Sequence, residues 1–232
     1  MPNLLSYTMF QQVMFPANAA AGNQDLSENL LLQRVIRFTP EALISIREAP
    51  LVIFDLETTG LDPREDAIIE IGGIKIKGGE VLEEFSTLVN PYREISPQIT
   101  ALTGITNEEL VSAPSIKTVL PQFLDFFSDC ILVAHNAEFD MSFLTSTCAQ
   151  HGYQLYWPSF CTLKMCRALL PELPSKSLDA LAQHYQLKFE ARHRSIGDIK
   201  VTVEVLRRLL ESQGNHLRNW SDFSPFVVER RN

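Results

Sequence analysis

Asp55, Glu57, Asp140, His193 and Asp198 have the types and positions to do chemistry together. The clearest of them are Asp55 and Glu57. They close the apolar run Leu51-Val52-Ile53-Phe54, the pattern of a strand buried on both faces. Residues two apart on a strand share a face, with Cα atoms roughly 7 Å apart. Two carboxylates held side by side at the carboxyl end of a core strand repel each other and are costly to desolvate. A multivalent cation resolves both costs, and packing alone does not account for the pair. Thr58-Thr59-Gly60 should then turn the chain tightly and leave backbone N–H groups free.

The other three residues each have an ordinary reading. Asp140 falls in the first turns of a helix, where an acid complements the helix dipole. Ser195 with Asp198 matches a capping pattern. His193 between Arg192 and Arg194 reads as a solvated loop residue. Their positions at element ends are those where sites collect. If the strand before Asp140 lies parallel beside the first strand, Asp140 approaches the Asp55–Glu57 pair. The last long helix can bring Asp198 across from the other side.

The elements that must do this positioning follow from periodicity. Leu51–Glu57 is the first strand. Ala67–Lys77 is the second, with Gly72-Gly73 marking a bulge or a close backbone approach. Gly78-Gly79 is a two-residue hairpin turn into a third strand, Val81–Val89. Short helices follow at Pro97–Leu102 and after Thr106. An amphipathic helix carries Val119, Leu120, Phe123, Leu124, Phe126 and Phe127. Ile131–Ala134 is a short buried strand, followed by a helix from Ala137 to Gln150. Phe160–Thr162 reads as a last strand, and helices follow at Leu163–Leu170, Leu178–Tyr185 and Ile196–Ser212. This order makes an α/β protein with a mixed sheet flanked by helices.

Residues 1–48 read as a helical N-terminal extension. Residues 1–24 look irregular, Asp25 and Glu28 resemble a capping box, and Glu28–Phe38 has helical spacing in Leu31, Leu32, Val35 and Ile36. Thr39-Pro40-Glu41 reads as a second helix start. The main domain is residues 49–212. Residues 213–232 are a polar tail with an aromatic patch, Trp220, Phe223 and Phe226, suited either to packing on the domain or to docking on a polymerase or sliding clamp.

The net charge of −8 argues against a broad basic surface for nucleic acid. It leaves room for a metal site that grips a few phosphates, because bound divalent ions invert the local sign. Cys130, Cys148, Cys161 and Cys166 lack metal-ligand spacing and read as reduced thiols of a cytoplasmic protein. Residues 1–16 do not match a signal peptide, and no apolar run approaches the ~20 residues needed to span a bilayer, so no membrane partner is expected.

Three segments stand in order: Phe54-Asp55-Leu56-Glu57-Thr58-Thr59-Gly60, Ala134-His135-Asn136-Ala137-Glu138-Phe139-Asp140 and His193-Arg194-Ser195-Ile196-Gly197-Asp198. Together they closely resemble the motifs of the DEDDh 3′-to-5′ exonucleases, the superfamily of the epsilon subunit of bacterial DNA polymerase III and of ribonuclease T. The likeness covers about residues 50–210. It implies a ribonuclease H-like fold with a five-stranded mixed sheet, three strands antiparallel and two parallel. It also implies two divalent ions, Mg²⁺ or Mn²⁺, and release of nucleoside 5′-monophosphates from a nucleic-acid 3′ end. By motif position Asp55, Glu57 and Asp198 hold one ion. Asp55 bridges to the second, Asp140 supports that one, and His193 is the general base.

The same resemblance places Thr58, Thr59, Leu61, Asn136 and Phe139 against the substrate. Many proofreading members have a histidine where Thr103 stands. The resemblance by itself does not separate DNA from RNA, since no residue in the sequence reads a 2′-OH; the expected substrate is single-stranded DNA in proofreading or repair. RNA processing is the alternative, and a non-catalytic docking module is the reading from another class. Dimerisation is compatible with the sequence.

Overall fold

The computed structural model describes residues 13–15, 33–213 and 216–228. The chain begins with β1 (Val13–Phe15) and β2 (Gln33–Arg37). The meander β3 (Leu51–Thr58), β4 (Ile68–Lys77) and β5 (Glu80–Leu88) follows. Next come α1 (Pro97–Thr103), α2 (Asn107–Ser112) and α3 (Ile116–Phe126). Then come β6 (Ile131–Ala134), α4 (Ala137–Gln150), β7 (Tyr153–Tyr156) and β8 (Ser159–Cys161). Helices α5 (Thr162–Leu169), α6 (Leu178–Tyr185) and α7 (Ser195–Gln213) precede a 3-10 helix (Trp220–Phe226) and β9 (Val227–Val228).

The main sheet has the order β5-β4-β3-β6-β8-β9. Its first five strands are the expected mixed sheet. β3, β4 and β5 are antiparallel, and β3, β6 and β8 run parallel. The two-residue β9 adds a sixth, antiparallel to β8. Gly78 and Gly79 close the β4–β5 hairpin with φ of +62° and +84°, the left-handed backbone that a tight hairpin needs.

Alternation along β3 sends its side chains to two cores. Val52, Phe54 and Leu56 pack with Phe123, Phe127 and Met141 under α3 and α4. Leu51 and Ile53 pack with Ile199, Val205 and Leu206 of α7 on the other face. Asp55 and Glu57 continue that second row, so they emerge on the α7 side of the sheet.

The helical extension is corrected where it is described. Residues 33–37 form β2, which pairs parallel with β7, and residues 38–50 contain no helix. β7 itself was not foreseen. Arg34 and Arg37 lie over the rings of Tyr153 and Tyr156 at 5.9 and 4.8 Å, while Ile36 is buried. Four apolar residues are too few to separate helical from strand spacing, and pairing with β7 decides. The Asp25–Glu28 capping box and the irregular reading of residues 1–24 lie outside the described residues, except for β1 at Val13–Phe15.

The aromatic patch near the C-terminus packs on the domain. Phe160 meets Trp220 and Phe223 with ring centroids 4.8 and 4.4 Å apart, and Phe223 is fully buried. Residues 42–46 are stitched to it by Trp220 N–H to Ile44 O, Ser221 N–H to Ala42 O and Ile46 N–H to Arg218 O. All four cysteines are free and buried. Among the described residues no helix is long and apolar enough to cross a membrane.

Candidate active site

The carboxyl ends of β3 and β6 and the start of α7 meet at one edge of the sheet. Asp55, Glu57 and Asp198 each offer a carboxylate oxygen there, all within 4.8 Å of one another. The positioning is built from close approaches. Gly72 of β4 faces Asp55 in register, and a Cβ on it would lie 2.4 Å from Ser195 Oγ. The close-approach reading of Gly72-Gly73 therefore holds, and the bulges fall elsewhere, at Glu57/Thr58 and Lys75/Ile76. Gly197 lies so near the Ala191 carbonyl that a Cβ would sit 1.8 Å from its oxygen. These glycines let α7 and the loop before it press onto the sheet and deliver Asp198.

Asp140 reaches the same edge from α4. β6 runs parallel beside β3, with Ile53 opposite Val133, so the helix that follows β6 starts where β3 ends. Asp140 is 2% exposed, and its Oδ1 accepts a hydrogen bond from Leu56 N at 3.1 Å. It lies outside the three-oxygen cluster but close enough for its charge to act on Asp55.

Burial dominates the electrostatics. Desolvation, then the charge of Asp140, holds the Asp55 carboxyl well above the usual range. Desolvation, then Asp198, pushes Glu57 up to about 8, and desolvation pushes Asp140 up to about 7. Asp198 is also raised, again mainly by burial, with Arg192 opposing. Asp198 Oδ1 is buried and has no hydrogen-bond partner. An orphaned carboxylate oxygen among clustered, mutually repelling acids fits a hard divalent cation.

His193 sits beside this cluster in a left-handed conformation, φ +58°, and is half-buried. The capping reading of Ser195 and Asp198 does not survive. Ser195 lies inside α7, and its hydroxyl is buried without a partner.

Sequence reasoning missed the groups that hold this loop. Glu70 is buried, and its Oε1 accepts from Arg194 at 3.0 and 2.8 Å. Its Oε2 accepts from Ser195 N at 2.8 Å. Arg192 bonds Asp179 at 2.8 and 3.1 Å and also Asp198. His135 spans Thr162 Oγ1 and Lys176 O at 3.0 and 2.9 Å, and burial pushes its pKa down to about 4. A buried Glu in β4 opposite Glu57 was the one signal available, since a core strand seldom carries an unpaired acid.

The expected substrate residues divide. Leu61, which is 83% exposed, lines one groove of about 670 Å³ together with Asn136 and Phe139. Asn136 has φ +66° and makes no side-chain cap, so its amide is not spent on the helix. Thr58 and Thr59 have their hydroxyls tied into the turn. Thr58 Oγ1 donates to Gly60 O at 2.6 Å, and Thr59 Oγ1 donates to Asp66 at 3.0 Å. Thr59 N–H is not free as expected but bonds Ala67 O. Thr103 is buried and closes α1, donating to Ile99 O and accepting from Ile105 N.

An α/β sheet of this topology, with acids gathered at the end of its central strand, defines a nuclease-type catalytic domain. The sequence matches the Exonuclease family over residues 52–206, and the chain belongs to that family. It is 38% identical over 168 residues to the DNA polymerase III subunit epsilon of Aquifex aeolicus, covering 72% of this chain and 83% of that one. It is 40% identical over 184 residues to the PolC-type DNA polymerase III of Caldanaerobacter subterraneus, covering 79% of this chain and 13% of the relative. Apart from that epsilon subunit, the first relatives it matches are much longer, and the chain spans only 11% to 32% of their length. Among solved structures it resembles Exonuclease X in complex with 5′ overhanging duplex DNA. That match has a TM-score of 0.59 and 28% identity, and covers 75% of this chain and 98% of that one.

Proposed function

We propose that residues 49–212 form a metal-dependent 3′-to-5′ exonuclease that trims single-stranded DNA ends in proofreading or repair. The carrying observation is the cluster of Asp55, Glu57 and Asp198, with its unpartnered buried Asp198 oxygen. Membership of the exonuclease family supports the reaction class. The epsilon and PolC names of the relatives support DNA and a polymerase partner.

Asp55, Glu57 and Asp198 would hold one divalent ion, Mg²⁺ or Mn²⁺, with Asp55 shared and Asp140 supporting a second. When bound, such a pair stabilises the attacking and leaving oxygens of an in-line displacement at phosphorus. His193 takes the proton from the attacking water, the general-base role an imidazole fills when it stands beside the reacting water. The water oxygen bonds to phosphorus and the bond to the 3′ oxygen of the preceding nucleotide breaks, so a nucleoside 5′-monophosphate leaves. Leu61 and Phe139 place apolar surface where a terminal base can be wedged, and Asn136 offers an amide beside them.

The test is a 5′-labelled single strand incubated with Mg²⁺ or Mn²⁺, with and without chelator, on matched DNA and RNA. A metal-dependent ladder descending from the 3′ end, faster on DNA, is expected. No ladder under any condition removes the enzyme reading, and a faster RNA ladder replaces DNA with RNA as substrate.

A further inference from the structure

A second groove, of about 700 Å³, lies on the other side of Asn136, where α5 and α6 approach the end of β6. Its charge is unlike that of the molecule. The chain carries −8 overall, yet this lining contains Arg167, Lys176 and Arg192 and no acid. We propose that this groove holds the phosphodiester backbone of a single-stranded nucleic acid, 5′ of the nucleotide at the carboxylate cluster. The proposal rests on the exonuclease reading and adds to it where the rest of the strand lies.

The groove is joined to the cluster at two points. Arg192 lines it while its guanidinium bonds Asp198. Asn136 lines both this groove and the one that holds Leu61 and Phe139. Asn136, common to both linings, gives a strand held at Arg167 and Lys176 a short route to the base site.

Arg192 is held by Asp179 and Asp198, but the other two cations are available. Arg167 is exposed and has no ion pair among the described residues. Lys176 donates only to the Leu173 carbonyl, a contact a phosphate can replace. Their backbone is fixed: His135 Nε2 lies 2.9 Å from Lys176 O, tying that loop to the end of β6. Ser177, the N-cap of α6, is in the same lining. Phosphate contacts grip without reading sequence, which suits an enzyme that degrades any strand.

The experiment compares the wild-type chain with Arg167→Gln/Lys176→Gln. The first readout is kcat/KM on the dinucleotide dTpdT and on a dT12 strand in Mn²⁺. The wild type should prefer dT12, and the double variant should lose that preference about tenfold or more. A general folding or catalytic defect lowers both rates and leaves the ratio unchanged. The second readout is anisotropy of labelled dT12 in chelator, which needs no turnover. The slope of log affinity against log salt should fall by about 1.4, since each phosphate contact on a single strand contributes about 0.7.

An unchanged ratio and an unchanged slope overturn the groove while leaving the exonuclease reading intact. Strand binding lost in the double variant, in a wild type that releases no mononucleotide, keeps the groove and overturns the exonuclease reading.

Discussion

The buried carboxylate of Glu70 on β4 grips Arg194 and the backbone N–H of Ser195 together, from 124 and 125 positions away. It is a clasp between the sheet and the loop that carries His193. Asp198 lies one turn further along the same helix, so the clasp sets both.

Glu70→Gln should therefore lower kcat while changing KM little. It keeps the shape but loses the charge that two donors need. The stability cost should be about 2 kcal/mol, below that of a fully buried pair because Arg194 is partly in solvent. Urea melts and steady-state kinetics on one strand check both. A KM effect without a kcat effect would mean that the clasp serves substrate binding instead.

His193→Ala should cut turnover by about 10²- to 10⁴-fold, the range for loss of a positioned general base. Metal binding, read by Mn²⁺ titration calorimetry, should persist because His193 is not among the clustered carboxylates. Near-normal turnover would remove the general-base role.

Asp55→Asn should weaken divalent-ion binding more than Glu57→Gln if, as proposed, Asp55 is the carboxylate shared between two ions. Both sit within the same 4.8 Å cluster, so distance alone does not separate them. Calorimetry and the Mn²⁺-induced rise in Tm are the readouts. The opposite order would make Glu57 the bridge.

His135 contributes an acid limb, a loss of stability on the acid side, which the raised carboxyls of Glu57 and Asp140 oppose over the same range. Burial lowers the His135 pKa to about 4, from an ordinary 6.5. Between those values the unfolded chain binds a proton that the folded one does not, so the stability held above pH 6.5 is lost as pH falls towards 4. The loss should be up to about 3 kcal/mol. His135→Gln should flatten that limb, at the cost of the bonds to Thr162 and Lys176. Denaturation curves at pH 5 and pH 7.5 measure the difference. An equally steep limb in the variant would assign it to other groups.

Much of the site was legible because its signals are local. The strand repeat of two puts Asp55 and Glu57 on one face whatever the rest of the chain does. Gly78-Gly79 requires its hairpin, and Thr106 with Glu109 forms the capping box that starts α2. The motif order around Asp140, His193 and Asp198 was enough to mark them as partners before any contact was known.

Tertiary structure decided what depends on distant partners. Residues 33–37 became strand because β7 offered an edge to pair with, which outweighed an ambiguous local pattern. Thr59, expected beside the substrate, is also a brace of the turn, because Asp66 and Ala67 fold back onto it. Glu70, Arg192 and Arg194 look like ordinary charged residues in sequence. Burial and pairing make them the frame of the site, since a buried charge is tolerated only where its partner arrives. The Asp55–Glu57 pair was determined by strand geometry alone. The third carboxylate beside it, Asp198, was delivered by packing α7 against Gly72.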